Sequence, residues 1–156
     1  MLHENNIVSI DCGSDTDEDD LLIAHREFSK LQGKDVYYGY ISGSSYNQGK
    51  ADSDGMATSR NGELEYKFIL NEKQKVIACC EFRDVCSQDK GNRVFDVTIV
   101  TDSQNIVAND IDVYSIGEND PVKLLVPLQE TGMIDIRWFT VRGDVPFCNV
   151  IRLLKQ

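Results

Sequence analysis

The chain has 156 residues, 41% of them hydrophobic and 27% charged, and carries a formal net charge of -10 at pH 7. These proportions belong to a folded globular chain, and the length suits one domain, residues 1–156, with a core of its own. The acidic excess speaks against a nucleic-acid backbone or an anionic membrane as the main partner, because either would be repelled over most of the surface.

Residues 1–6 hold neither the basic nor the apolar region of a secretory signal, and no apolar run reaches the length of a membrane-spanning helix. The five cysteines, Cys12, Cys79, Cys80, Cys86 and Cys148, form an odd count, which fits reduced thiols better than a disulfide framework. The expectation is a cytoplasmic chain, or a domain of a longer protein.

Residues 7–10 form a short β-branched strand that ends in the turn composition Asp11-Cys12-Gly13-Ser14. A run of acidic residues at 15–20 then precedes Leu21, Ala24, Phe28 and Leu31 at helical spacing, with Lys30 near the end and Gly33 at the stop. That pattern predicts one helix of about three or four turns. Asp15, Asp17 and Asp19 alternate as calcium ligands can, but the loop lacks an EF-hand's glycine and its closing glutamate, so a solvated helix start is the reading.

Residues 36–41 read as a tyrosine-rich strand, and residues 42–62, dominated by Ser, Gly, Asn and Asp, as a long loop. Leu64, Tyr66, Phe68 and Leu70 alternate with Glu63, Glu65 and Lys67 in a half-buried strand that turns at residues 71–74. Residues 75–82 are a continuous apolar run, predicting a strand covered on both faces, followed by a polar loop at 83–92. In the strand that follows, Val94, Asp96 and Thr98 face one way and Phe95, Val97 and Ile99 the other, so one side is core. Further strands are predicted at residues 105–113, 122–126, 133–141 and 149–154, at the spacing of an all-β sandwich.

Several segments, in this order, resemble a malectin-type domain of the galactose-binding-like β-sandwich class. The chain opens on Val8-Ser9-Ile10-Asp11-Cys12-Gly13-Ser14, a strand running into a small-residue turn. The family's Y-x-T-x-R segment resembles Met56-Ala57-Thr58-Ser59-Arg60, with Gly62 and Tyr66-Lys67-Phe68 completing it. Its central signature, an Ala-Glu strand end followed by R-V-F-D-V, is matched by Cys80-Glu81-Phe82 and Arg93-Val94-Phe95-Asp96-Val97. Asp110-Ile111-Asp112-Val113-Tyr114 resembles a later strand element, and residues 143–151, with Gly143 and Pro146, the closing G-x-x-P segment.

The resemblance implies an all-β antiparallel sandwich of jelly-roll type, here with one short accessory helix. In animal malectin, loop aromatics stack on glucose residues and an aspartate near the last strand binds a hydroxyl. That aspartate corresponds to Asp144, but Met56, Arg83 and Asp84 stand where the family has its aromatics. Stacking contributes about 1 kcal/mol per contact, so the loss of two or three platforms weakens sugar binding by roughly two orders of magnitude. Tyr38, Tyr40 or Tyr46 would have to supply a substitute. Malectin-like domains also occur in cytosolic proteins such as certain kinesins, where a protein is the more natural ligand.

Glu81 is read as a structural carboxylate paired with Arg60 or Arg93, because a buried charge needs a partner; its alternative role as a catalytic acid requires a second carboxylate facing the same cleft. Asp96 has the same structural reading. Cys79 and Cys80 lie on opposite faces of one strand and cannot jointly chelate an ion, and His3 and His25 show no partner spacing, so neither metal nor cofactor is expected.

The sequence leads to the expectation of a non-enzymatic binding module that uses Arg60, Arg83, Asp84, Arg142 and Asp144 at the loop end for a protein partner. Its alternative is an oligosaccharide site built on Asp144 with Tyr38, Tyr40 or Tyr46. A glycoside-processing activity through Glu81 ranks last.

Overall fold

The computed structural model describes residues 5–12, 23–24, 36–47, 58–84, 87 and 89–156, with the backbone alone at 23–24, 45–47 and 58. Their strands are β1 (Asn6–Asp11), β2 (Ile23–Ala24), β3 (Val36–Asn47), β4 (Thr58–Phe82), β5 (Arg93–Thr101), β6 (Asn105–Ile111), β7 (Val122–Gly143), β8 (Phe147–Cys148) and β9 (Val150–Lys155). One short helix, α1, spans Val113–Gly117. Apart from the parallel β1–β2 contact, every pairing is antiparallel.

The two long strands build both layers. The first half of β4 pairs with β3 and with the second half of β7, which also carries β5 and β6. The second half of β4 pairs with β9 and with the first half of β7, and β9 carries β1. Between the halves the β4–β7 register slips at residues 69–76. Such irregularities bend a strand and let it pass from one sheet to the other.

Hydrogen bonds fix this corner. Thr131 is buried, and its Oγ1 donates to the Met133 carbonyl at 2.8 Å, while Asp102 Oδ2 accepts from the Gly132 N–H at 2.7 Å. The polar residues 71–74, expected as a turn, are thus the outside of a bend in one continuous strand.

The layers face each other across one core. Phe82 lies 5.6 Å from Phe95 and 5.8 Å from Phe147 between ring centroids, and Tyr66 lies 6.1 Å from Trp138. In β5, Phe95, Val97 and Ile99 are buried while Asp96, Thr98 and Val100 are half-exposed, the alternation expected from the sequence.

Three expectations change. The predicted helix at residues 15–33 lies outside the described residues except at Ile23–Ala24, where the backbone is a strand paired with Ile10 and Asp11. Among the described residues a short helix lies at the predicted end of the 105–113 strand. There Asp112 caps it by accepting from the Ser115 N–H at 3.1 Å, a local bond that competes with extended structure. Finally, much of the expected 42–62 loop is a β3–β4 ladder, with Ser44 opposite Asn61 and Asn47 opposite Thr58. Its polar composition hid strands whose backbone bonds carry the pairing.

Candidate functional site

The loop end is organised by a residue that the sequence marked only as a flanking charge. Arg93 opens β5 and is 5% exposed. Its Nη2 donates to Asp144 Oδ2 at 3.1 Å, and its Nη1 lies 3.9 Å from Asp84 Oδ1. The guanidinium carbon sits 4.8 Å from the centroid of the Phe147 ring, so cation and aromatic face share the core boundary.

Asp84 is 1% exposed and folds its own loop: it accepts from the Ser87 N–H at 2.9 Å and from the Ser87 hydroxyl at 2.6 Å. Next to it, the Arg83 N–H donates to Asn149 Oδ1 at 2.8 Å and Arg83 Nε to the Asn119 carbonyl at 3.0 Å. These bonds draw the segment after β4 onto the β8–β9 junction and onto the α1–β7 connection.

Asp144 follows Gly143, whose φ of +77° turns the chain at the end of β7. The Asp144 N–H donates to the Asn92 carbonyl at 2.8 Å, and its Oδ1 accepts from the Val145 N–H at 2.7 Å. The side chain is 63% exposed, so one face meets Arg93 and the rest meets solvent. Arg142 is exposed, with its guanidinium over Gly91; the Gly91 N–H donates to Asp112 Oδ2 at 2.7 Å. The structure therefore brings Arg83, Asp84, Arg142 and Asp144 to one end of the sandwich, with Asp84 and Asp144 both against Arg93.

The Val145 N–H and then the Arg93 guanidinium hold the Asp144 carboxyl below its usual value of 3.8. A lowered folded-state pKa contributes stability that is present above the unfolded value and lost as pH falls through the folded one. Stability should thus decline below about pH 4 in part through this group. Asp144→Asn is expected to flatten that acid limb in urea titrations at pH 2.5 to 5, and an unchanged pH profile would remove Asp144 from the account.

The tyrosine platform is arranged differently. Tyr38 is buried in the core, and the Arg60 guanidinium stacks on Tyr40, 3.4 Å from the ring centroid. Arg60 is itself buried, donating to the carbonyls of Ser42 and Gly43. It pairs across the ladder with Cys148, which places it beside the segment that follows Asp144. The Tyr46 side chain lies outside the described residues. Tyr38 is therefore no open stacking surface, and one face of Tyr40 is taken.

Glu81 corrects the expected pairing. Its partners are Arg152, Nε to Oε2 at 3.2 Å, and Lys123, Nζ to Oε1 at 3.2 Å, rather than Arg60 or Arg93. The register explains the change: Glu81 points to the outer face of its sheet, where Lys123 stands directly opposite and Arg152 one pair along.

The three line a groove of about 380 Å³ with Asn6, Ser9, Cys79, Leu125 and Leu154. Among these lining residues Glu81 is the sole carboxylate, whereas glycoside hydrolysis uses two. Burial first, and Glu81 next, push the Cys79 thiol up to about 12, so it stays protonated and a poor nucleophile. A carboxylate pair, Glu65 and Asp135, lies elsewhere on the first layer, and both contact Arg137 at 3.2 Å.

Among the described residues no group of three or more His, Cys, Asp or Glu is placed to hold a metal ion, and Cys86, His3 and His25 lie outside them.

No family model and no curated protein matches the chain. Solved structures do. A β-glucuronidase of Bacteroides uniformis superposes with a TM-score of 0.70 at 19% identity, covering 96% of this chain and 18% of that one. The extracellular domain of ANXUR2 from Arabidopsis thaliana gives 0.70 at 11% identity, covering 96% and 48%. A chain in the complex of the plant peptide RALF23 with FER and LLG2 gives 0.63 at 13% identity, covering 96% and 39%. This chain thus spans less than half the length of each. At these identities the likeness shows the fold alone, an all-β sandwich.

Proposed function

We infer that this chain is a non-enzymatic binding module that recognises a protein or peptide through the loop end around Arg83, Arg142 and Asp144. One observation carries the reading. The buried Arg93 holds Asp144 by a hydrogen bond and faces the buried Asp84, so charged groups on separate loops are fixed before any partner arrives. Preorganisation lowers the ordering cost of association. Arg142 beside Asp144 offers a forked donor next to an acceptor, a pairing suited to peptide groups and to side chains of either charge.

A neighbour of the same fold occurs in a complex with the peptide RALF23, which supports peptide recognition as a use of this sandwich. The β-glucuronidase likeness covers 18% of that enzyme, and the groove holding Glu81 offers an ion-paired carboxylate rather than a facing pair. The oligosaccharide alternative keeps Asp144 but has Tyr38 buried and Tyr40 under Arg60.

Affinity capture with the wild-type chain is expected to retain a partner that Arg142→Glu and Arg83→Glu release, with binding weakened roughly tenfold or more. Saturable binding of a glucose-containing oligosaccharide, abolished by Asp144→Ala, would overturn the reading in favour of sugar.

A cytoplasmic, kinesin-type host protein is the finer form of this proposal. It rests on the sequence resemblance and on Cys12, Cys79, Cys80 and Cys148, which are free and buried. Thiol labelling after denaturation of the protein from its native source should find them reduced; a disulfide among them would exclude that compartment.

A further inference from the structure

The second layer ends where the first continues. Residues 134–143 of β7 pair with β5, and β5 with β6, but residues 122–128 of β7 pair with β4 alone. Among the described residues, no strand occupies their other side.

The direction of the free groups follows from the ladder. The Asn149 N–H donates to the Glu81 carbonyl at 3.0 Å, so odd-numbered residues in this half of β4 turn towards β9. The even ones, Ala78, Cys80 and Phe82, turn towards β7, opposite Val126, Leu124 and Val122. Pro127 agrees: with no N–H it fits a strand where its nitrogen faces away from the partner. Lys123 and Leu125 therefore direct N–H and C=O outward, in a window bounded by Pro121 and Pro127.

The side chains around this window are also incompletely covered. Val122, Leu124 and Val126 pack against the core yet are only partly buried, as are Ile106 and Ile111 of β6 in the other layer. On the outer face Leu125 is 57% exposed and Lys123 60% exposed, beside the groove that holds Arg152. There Lys123 and Arg152 outnumber Glu81, leaving local positive charge on a chain whose net charge is -10.

We propose that residues 122–126 of β7 are a docking edge for a short extended segment of a partner protein in which apolar and acidic residues alternate. The added strand takes its backbone bonds from Lys123 and Leu125. Its apolar side chains cover Val122, Leu124 and Val126 on the core side, and its carboxylates lie beside Lys123 on the outer side. A second copy of this chain fits less well, because each copy carries a net charge of -10 and residues 122–126 of the other copy bring no carboxylate to set beside the lysine. The edge begins next to the loop-end site, with Val122 opposite Phe82, but it uses Lys123 and Leu125 rather than Arg83, Arg142 and Asp144, so variants of one set leave the other in place and either proposal can fail without the other.

The test is an amide NMR titration of the full chain with the acetylated, amidated peptide Val-Glu-Val-Glu-Val-Glu-Val. Saturable shifts confined to residues 122–126 and their neighbours are expected. Leu125→Pro removes one outward N–H and leaves the β4 ladder intact, and should weaken binding roughly tenfold, the scale of a lost hydrogen bond. If that variant does not fold, backbone N-methylation of the peptide on its docking side should produce the same loss in the wild-type chain. Lys123→Glu should reverse the preference towards the same peptide with Lys in place of Glu. Absence of shifts at about 5 mM peptide, a range that still detects millimolar affinity, overturns the proposal. So does binding indifferent to both backbone changes, or a concentration-dependent dimer that occupies this edge in sedimentation.

Discussion

Replacing Arg93 with methionine is expected to cost about 3 kcal/mol of folding stability, a value at the lower end of those seen when one partner of a buried ion pair is removed. Methionine roughly preserves the length and apolar stem of the side chain, so the loss falls on charge and hydrogen bonding rather than on volume. Asp84, 1% exposed and 3.9 Å from the guanidinium, would remain buried without that cation, still bonded to Ser87. Asp144 would lose its 3.1 Å bond but keeps access to water, so it contributes the smaller share.

Urea denaturation of wild type, Arg93→Met and the double variant Arg93→Met/Asp84→Asn separates these effects. The double variant should recover part of the loss, because a neutral amide is less costly to bury than a carboxylate that has lost the guanidinium. A single-variant cost below about 1 kcal/mol, with no coupling to Asp84, would reduce Arg93 to an ordinary surface pair.

What the sequence made legible was alternation. Residues 95–101 and 64–70 show it, and there the structure follows the pattern position by position, because a period of two assigns each side chain to core or solvent before any partner strand is known; Val94, expected on the solvated side, is buried at the register shift that opens β5. The resemblance placed Gly143, Pro146 and Asp144 in one closing segment, and the structure finds them at a turn whose backbone only glycine suits.

What remained hidden depends on contacts distant in sequence. Glu81 was assigned Arg60 or Arg93 as its partner, but the partner of an outward residue is set by the neighbouring strands, and no local pattern specifies that Lys123 and Arg152 flank it. Residues 42–62 read as loop because strand propensity reflects packing on a half-buried surface, whereas β3 and β4 extend through Ser, Gly and Asn by backbone pairing. The bend that divides β4 and β7 between two layers is likewise a register event, which composition cannot carry. For the loop-end site, the charged residues could be named from the sequence, but Arg93 as their common anchor required the fold.

Gly143→Ala is expected to cost about 3 kcal/mol and to displace Asp144 from Arg93. Two penalties combine. A non-glycine residue at a φ of +77° costs roughly 1–2 kcal/mol, and a Cβ there would lie 2.0 Å from the Asn92 carbonyl oxygen and 2.6 Å from its carbon. Those are backbone atoms, so no side-chain rotation relieves the clash. The same carbonyl accepts the Asp144 N–H, and moving it disturbs the bond that aims Asp144 at the guanidinium. Gly91→Ala provides the control: its φ of +82° carries a similar conformational penalty, but its Cβ would meet only the Arg142 guanidinium, at 3.6 Å. It should cost about 1 kcal/mol. Equal losses in the two variants would mean that φ alone governs this turn and that contact with Asn92 adds nothing. A larger loss for Gly143→Ala, accompanied by a shift of the acid limb towards that of Asp144→Asn, would tie the shape of the turn to the placement of the carboxylate.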